Sequence, residues 1–185
     1  MLIQRTESVE FRTVFWCITR LFFQVVNMLM QITSPTSTLL IGIGNTSRGD
    51  DGLGWALAAA VEEEQLGKLT VVYRHQLQPE DVLLLQQYPI VVFADASVEP
   101  VPGGVAVVPC LAAAQAYRSS HQQSPGTLLY LAATLYNAHP QAWMLAMQAA
   151  TFEFGASLSP TAQINLEKGL QYWRQWWNAH SSNNR

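Results

Sequence analysis

Cysteine is nearly absent. Cys17 and Cys110 are the only two in 185 residues. That excludes a disulfide-stapled scaffold and a Cys-X-X-Cys metal knuckle, and it points to a reduced, cytoplasmic compartment. Charge is scarce too, at 12% of residues with a net charge of −3, and the ten basic residues are spread along the chain. No nucleic-acid partner is expected from so weak an electrostatic footprint. The chain also lacks the ~18–20 uninterrupted apolar residues of a membrane span. Its most apolar stretch, 11–32, is broken by Arg12, Arg20, Gln24 and Asn27. Glu7 and Glu10 spoil the basic start of a signal peptide. HExxH and GxSxG are both missing, and neither cysteine stands in a nucleophile context. What is present is hydrophobicity, at 49% of residues, which rules out intrinsic disorder. A chain of this length can bury most of the apolar surface of one domain.

Residues 1–37 read differently from the rest. Phe11, Val14, Phe15, Ile18, Leu21, Phe22, Val25 and Leu29 recur at helical spacing. Three readings stay open: an appended helix packing on the body, a helix that pairs two copies into a homodimer, and upstream sequence from a misassigned start. Met28 and Met30, shortly before the first strand, suit the last reading, whereas Trp16, Phe22 and Phe23 would otherwise add to an exposed patch. Thr33 to Thr38 is a polar linker in which Pro35 stops any helix.

Residues 38–180 alternate strand and helix, with 181–185 as a tail. Strands are expected at 39–43, 69–73 and 90–94, an edge strand at 105–108, and a further strand at 143–147. Helices are expected at 51–65, 79–87, 125–136 and 160–178, the first capped by Asp50 and ended by Gly67. This alternation predicts a single three-layer α/β domain, with a mostly parallel twisted sheet and helices on both faces. Ligands in such sheets lie beyond the carboxyl ends of the strands, where strand order reverses.

After the first strand comes Gly42-Ile-Gly-Asn-Thr-Ser-Arg-Gly-Asp-Asp-Gly-Leu-Gly54. Ser47 stands where a dinucleotide fingerprint needs its third glycine, and no Walker lysine is present. The loop offers instead two carboxylates between glycines. Asp50 is explained as an N-cap, and Asp51 either as a first-turn acid favoured by the helix dipole or as a functional group. Asn45 is expected to support the loop by its own turn bonding. Asp95 ends the third apolar strand, where an unpaired acid is costly. With strands ordered 2-1-3, strands one and three are about 4.8 Å apart. Asp51 and Asp95 then share a rim and repel unless a proton or cation lies between them. His121, in a polar loop before a helix, completes two carboxylates and an imidazole, a set suited to a divalent transition metal with open positions. His75 could flank the same rim. His139 in a turn and His180 in a frayed tail are weaker candidates.

From about Thr38 to the last helix the chain resembles the nickel–iron hydrogenase maturation proteases. Gly42 to Gly54 resembles the family's G-[IV]-G-N-x(4)-D-[DE]-G-x-G, Asp95-Ala96 its D-A at the third strand, and His121 with Pro125 its loop histidine. Phe152-Glu-Phe-Gly-Ala-Ser-Leu-Ser-Pro160 and His75-Gln-Leu-Gln-Pro-Glu80 look most like the branch serving bidirectional, NAD(P)-linked hydrogenases. The resemblance implies a hydrolase, an endopeptidase removing the C-terminal extension of a hydrogenase large-subunit precursor after nickel insertion. Asp51, Asp95 and His121 would serve as catalytic and metal-binding residues, with the nickel supplied by the substrate. Cadmium or zinc would occupy the site in vitro. A metal or a carboxylate acting as general base could lead the attack on the peptide. Two rivals remain: a metal-sensing scaffold that does not cut, and a metal-independent peptidase with Asp51 and Asp95 as a proton-sharing dyad. Asp50→Asn is expected to be mild, because Asn caps helices about as well as Asp.

Overall fold

The computed structural model describes residues 37–114 and 123–181. The expected N-terminal helix, His121 and the tail beyond 181 lie outside the described residues. The strands are β1 (Thr38–Ile43), β2 (Leu69–Arg74), β3 (Ile90–Ser97), β4 (Val105–Pro109) and β5 (Gln141–Gln148). They form one sheet in the order β2-β1-β3-β5-β4. All neighbours are parallel except β4, which runs antiparallel on the edge of β5. The helices are α1 (Leu53–Glu63), α2 (Val82–Leu85), α3 (Pro125–Tyr136) and α4 (Pro160–Ser181).

β1 is buried along its whole length, as a continuous apolar run covered on both faces should be. Its successive side chains point to opposite faces. Leu40 joins Leu53, Leu57, Val61 and Trp173 under α1 and α4. Leu39 and Ile41 join Val82, Leu128 and Leu129 under α2 and α3. The result is the expected three-layer α/β domain. α3 occupies the expected residues because its ends are locally encoded. Ser124 Oγ accepts the Thr127 N–H at 3.1 Å, Pro125 opens the first turn, and Asn137 closes the helix at φ 51°.

Several boundaries differ from expectation: the helix expected at 79–87 is a 3-10 turn over Pro79–Asp81 followed by the short α2, and β3 continues past 94 to Ser97. The first helix starts as a tight 3-10 turn over Gly49–Gly52 and becomes α-helical only at Leu53. It then ends at Glu63, short of Gly67. Gln65, in the left-handed region at φ 48°, reverses the chain instead.

The glycine spacing has a steric cause. A Cβ on Gly54 would collide with the carbonyl oxygens of Ile43 and Ala94, and one on Gly42 would lie 2.6 Å from the carbonyl oxygen of Gly54. The start of α1 is therefore seated directly on the ends of β1 and β3. Gly54→Ala should lower stability by about 2–3 kcal/mol, because backbone on both sides must move. Urea unfolding with an unchanged slope measures this, and a midpoint equal to wild type would refute the seating.

Candidate active site

β1 pairs with β3 only as far as Gly42 opposite Ala94. β3 runs on to Ser97 because β5 continues to pair with it, Asp95 lying opposite Ala146. Asp95 thus belongs to the strand rather than following it, level with Ile43, the last residue of β1. Asp95 Oδ1 accepts its neighbour's N–H, from Ala96, at 2.8 Å. Burial pushes the carboxyl up, the Ala96 donor pulls it down, and the nearby Asp51 charge pushes it up again, to about 6 in all. The expected meeting of Asp51 and Asp95 on one rim is what the fold produces.

Asp51 is held by the loop that precedes it. Its Oδ2 accepts the Asn45 N–H at 3.1 Å, and the same N–H lies 3.2 Å from its carbonyl oxygen. Gly44, at φ 128°, allows this close return, since a Cβ there would collide with the Asp51 carbonyl. Asn45 Oδ1 accepts the Ser47 N–H at 2.9 Å, the turn bonding expected of it. Among the described residues no donor reaches Asp51 Oδ1 or Asp95 Oδ2. No group of three or more His, Cys, Asp or Glu gathers among the described residues, so Asp51 and Asp95 have no third partner there.

Asp50 does something other than cap a helix. It is fully buried, and the α1 N-cap, Gly52, has no side-chain cap bond. Asp50 Oδ2 accepts the N–H groups of Ala150 and Thr151 at 2.8 and 3.1 Å and the Ser159 hydroxyl at 2.8 Å. Oδ1 accepts the Ser159 N–H at 2.7 Å. Burial alone would raise this carboxyl, but the donors from Ser159, Ala150 and Thr151 prevail and hold it below its ordinary value. Asp50 N–H in turn donates to Thr151 O at 3.0 Å, and Gly155 N–H to Ser47 O at 2.8 Å. The Phe152 to Pro160 stretch is therefore a strap fastened to the acid loop. Its partners lie about a hundred positions from Asp50, where periodicity cannot reach; the only hint was a buried-looking acid beside glycines with no donor close in sequence.

Aromatic rings flank the loop on the side of β2, an arrangement the sequence did not foretell. Trp55 Nε1 donates to Arg74 O at 2.9 Å. Its ring lies 5.1 Å from that of Tyr73 and stacks at 5.1 Å on His75. The Tyr73 hydroxyl donates to Glu62 at 2.7 Å, and burial followed by that carboxylate pushes the phenol up to about 12. His75 thus stands at the β2 end of the rim without joining the acids. His180 is not in a frayed tail: it lies in α4, its Nδ1 2.8 Å from Trp176 O, with its ring against Trp143 and Trp176. Cys110, its thiol raised by burial, and His139 line a cavity at the opposite end of the sheet, away from the acids.

An α/β sheet with paired carboxylates at the strand-order reversal defines the class, and solved structures narrow it. No family model and no curated protein matches the chain. The hydrogenase maturating endopeptidase HybD from E. coli superposes with a TM-score of 0.63 at 17% identity, over 77% of this chain and 93% of that one. The [NiFe] hydrogenase maturation protease HycI from Thermococcus kodakarensis does so with 0.60 at 18%, over 82% and 97%. The hydrogenase 2 maturation peptidase from a Thaumarchaeota archaeon gives 0.57 at 16%, over 77% and 98%. This chain has the fold of the hydrogenase maturation proteases. Among the described residues no helix is long and apolar enough to cross a membrane.

Proposed function

We infer that this chain is an endopeptidase of the [NiFe]-hydrogenase maturation type. It removes the C-terminal extension of a large-subunit precursor once nickel has been inserted. The observation that carries this reading is the Asp51–Asp95 pair, set at the strand-order reversal of this fold, with Asp95 raised by burial and by its neighbour. A divalent cation relieves that repulsion. We assign the third donor to His121, which stands four positions before Pro125 in the sequence. Three donors with vacant positions suit a nickel ion already held by the precursor, and an empty precursor would lack the cation that the pair requires. Cadmium or zinc can stand in for it in vitro. The His75 to Glu80 and Phe152 to Pro160 stretches favour a precursor of the bidirectional type.

The test mixes the purified full chain with nickel-loaded and nickel-free precursor and follows the large subunit on a denaturing gel. Shortening of the loaded form alone is expected. Binding without shortening of either form would identify a scaffold. A carboxyl raised to about 6 beside a second acid also fits a metal-independent dyad. That reading requires cleavage of both forms and full activity in His121→Ala.

A further inference from the structure

We propose that the cleft on the β2 side of the acid loop is a side-chain pocket for the polypeptide being cut, taking an aliphatic residue that flanks the scissile bond. This rests on the reading of the chain as an endopeptidase and adds to it where, and by which kind of side chain, the substrate is gripped. The cleft is a cavity of about 420 Å³, within the ~300–1,000 Å³ of ordinary ligand sites. Gly49 and Gly52, which bracket Asp51 in the chain, belong to its lining, so the turn that presents the acid is also a wall of the pocket. Ala56 and Ala59 of α1 contribute only methyl groups, leaving room where longer side chains would fill it. Trp55 is a fixed flat wall, held by its bond to Arg74 O and its stacking on His75.

The far side belongs to the strap, through Leu158. The chemistry of the lining singles out an apolar occupant. No Asp, Glu, Lys or Arg is among the lining residues, so an anion, a cation or a charged side chain would be desolvated without a partner. Both the acid loop and the strap are fastened by Asp50, so pocket and acids keep a constant spacing. A polypeptide laid across Asp51 would therefore set a neighbouring side chain into a preformed apolar seat.

The probe is a fluorescein-labelled synthetic peptide reproducing the residues on both sides of the precursor's cut, read by anisotropy, alongside KM and kcat for the nickel-loaded precursor. Ala59→Leu, at an exposed helix position, and Ala56→Leu, deeper in the cleft, fill the space without touching either acid. Each should weaken peptide binding and raise KM about tenfold, with kcat within about twofold. Peptides carrying Leu or Asp at the position beside the cut should differ, the Asp form binding the wild-type chain more weakly by a similar factor. Unchanged binding and KM in folded Ala59→Leu would overturn the pocket, as would equal binding of the aliphatic and Asp peptides. If sedimentation shows that Ala59→Leu breaks a dimer while peptide binding is unaffected, the cleft seats a second copy and the proposal fails. If the wild-type chain never cuts the precursor, the endopeptidase reading fails, whereas the peptide measurements still decide the pocket.

Discussion

Asp50→Asn will destabilise the protein by about 3–5 kcal/mol, although it removes no heavy atom. The wild-type carboxylate accepts from three backbone N–H groups and one hydroxyl in a fully buried position. An amide turns one of its two positions into a donor. Placed at Oδ1 it faces the Ser159 N–H; placed at Oδ2 it faces those of Ala150 and Thr151. Either way a buried N–H loses its partner, and the remaining bonds lose their charge assistance. Denaturant unfolding against wild type measures this, and a loss below about 1 kcal/mol would mean that the hub is not what holds the strap. The mild outcome expected of a helix cap does not apply, because Asp50 is not one. Acid titration gives the same answer independently. A carboxyl held below its ordinary 3.8 contributes stability that is fully present above that value and is lost as pH falls through the lower folded value. The variant lacks this acid limb.

Asp95→Asn will abolish precursor processing, by a factor of about 10³ or more, and yet leave a folded and more stable chain. The amide keeps the bond from Ala96 N–H, whereas the repulsion from Asp51 disappears. The sign of the pH dependence follows from the raised carboxyl. Asp95 is protonated in the fold up to about 6, against 3.8 ordinarily. Its contribution is therefore complete below the ordinary value and is lost as pH climbs to about 6. Metal-free wild type should lose up to roughly 2–3 kcal/mol of stability over that window, and Asp95→Asn should lose none of it. Cadmium or zinc should raise the melting temperature of wild type and leave that of Asp95→Asn unmoved. His121→Ala should lose processing to the same degree without the change in pH profile. Undiminished cleavage by either variant would remove that residue from the site.

Much of the architecture was legible in the chain itself. The apolar run of β1, the Ser124–Pro125 start and Asn137 end of α3, and the alternation of strand and helix are each set by a handful of adjacent residues. The short-range physics of capping, φ restriction and side-chain periodicity acts there alone, so reading along the sequence is enough. The same holds for the Asn45 turn, whose bond spans two residues.

The tertiary structure decided what lies far apart in the chain. Which of two adjacent acids faces the rim and which is buried could not be told from the pair Asp50-Asp51, because both suit the start of a helix. The choice was made by donors at Ala150, Thr151 and Ser159, brought there by α1 seating on β1 and β3 through glycines that leave no room for a side chain. Asp95's place inside β3 came from its register with β5, and the Trp55 wall from an edge strand folding back onto α1. Burial and long-range hydrogen bonding are properties of the packed chain, and no local pattern of residues carries them.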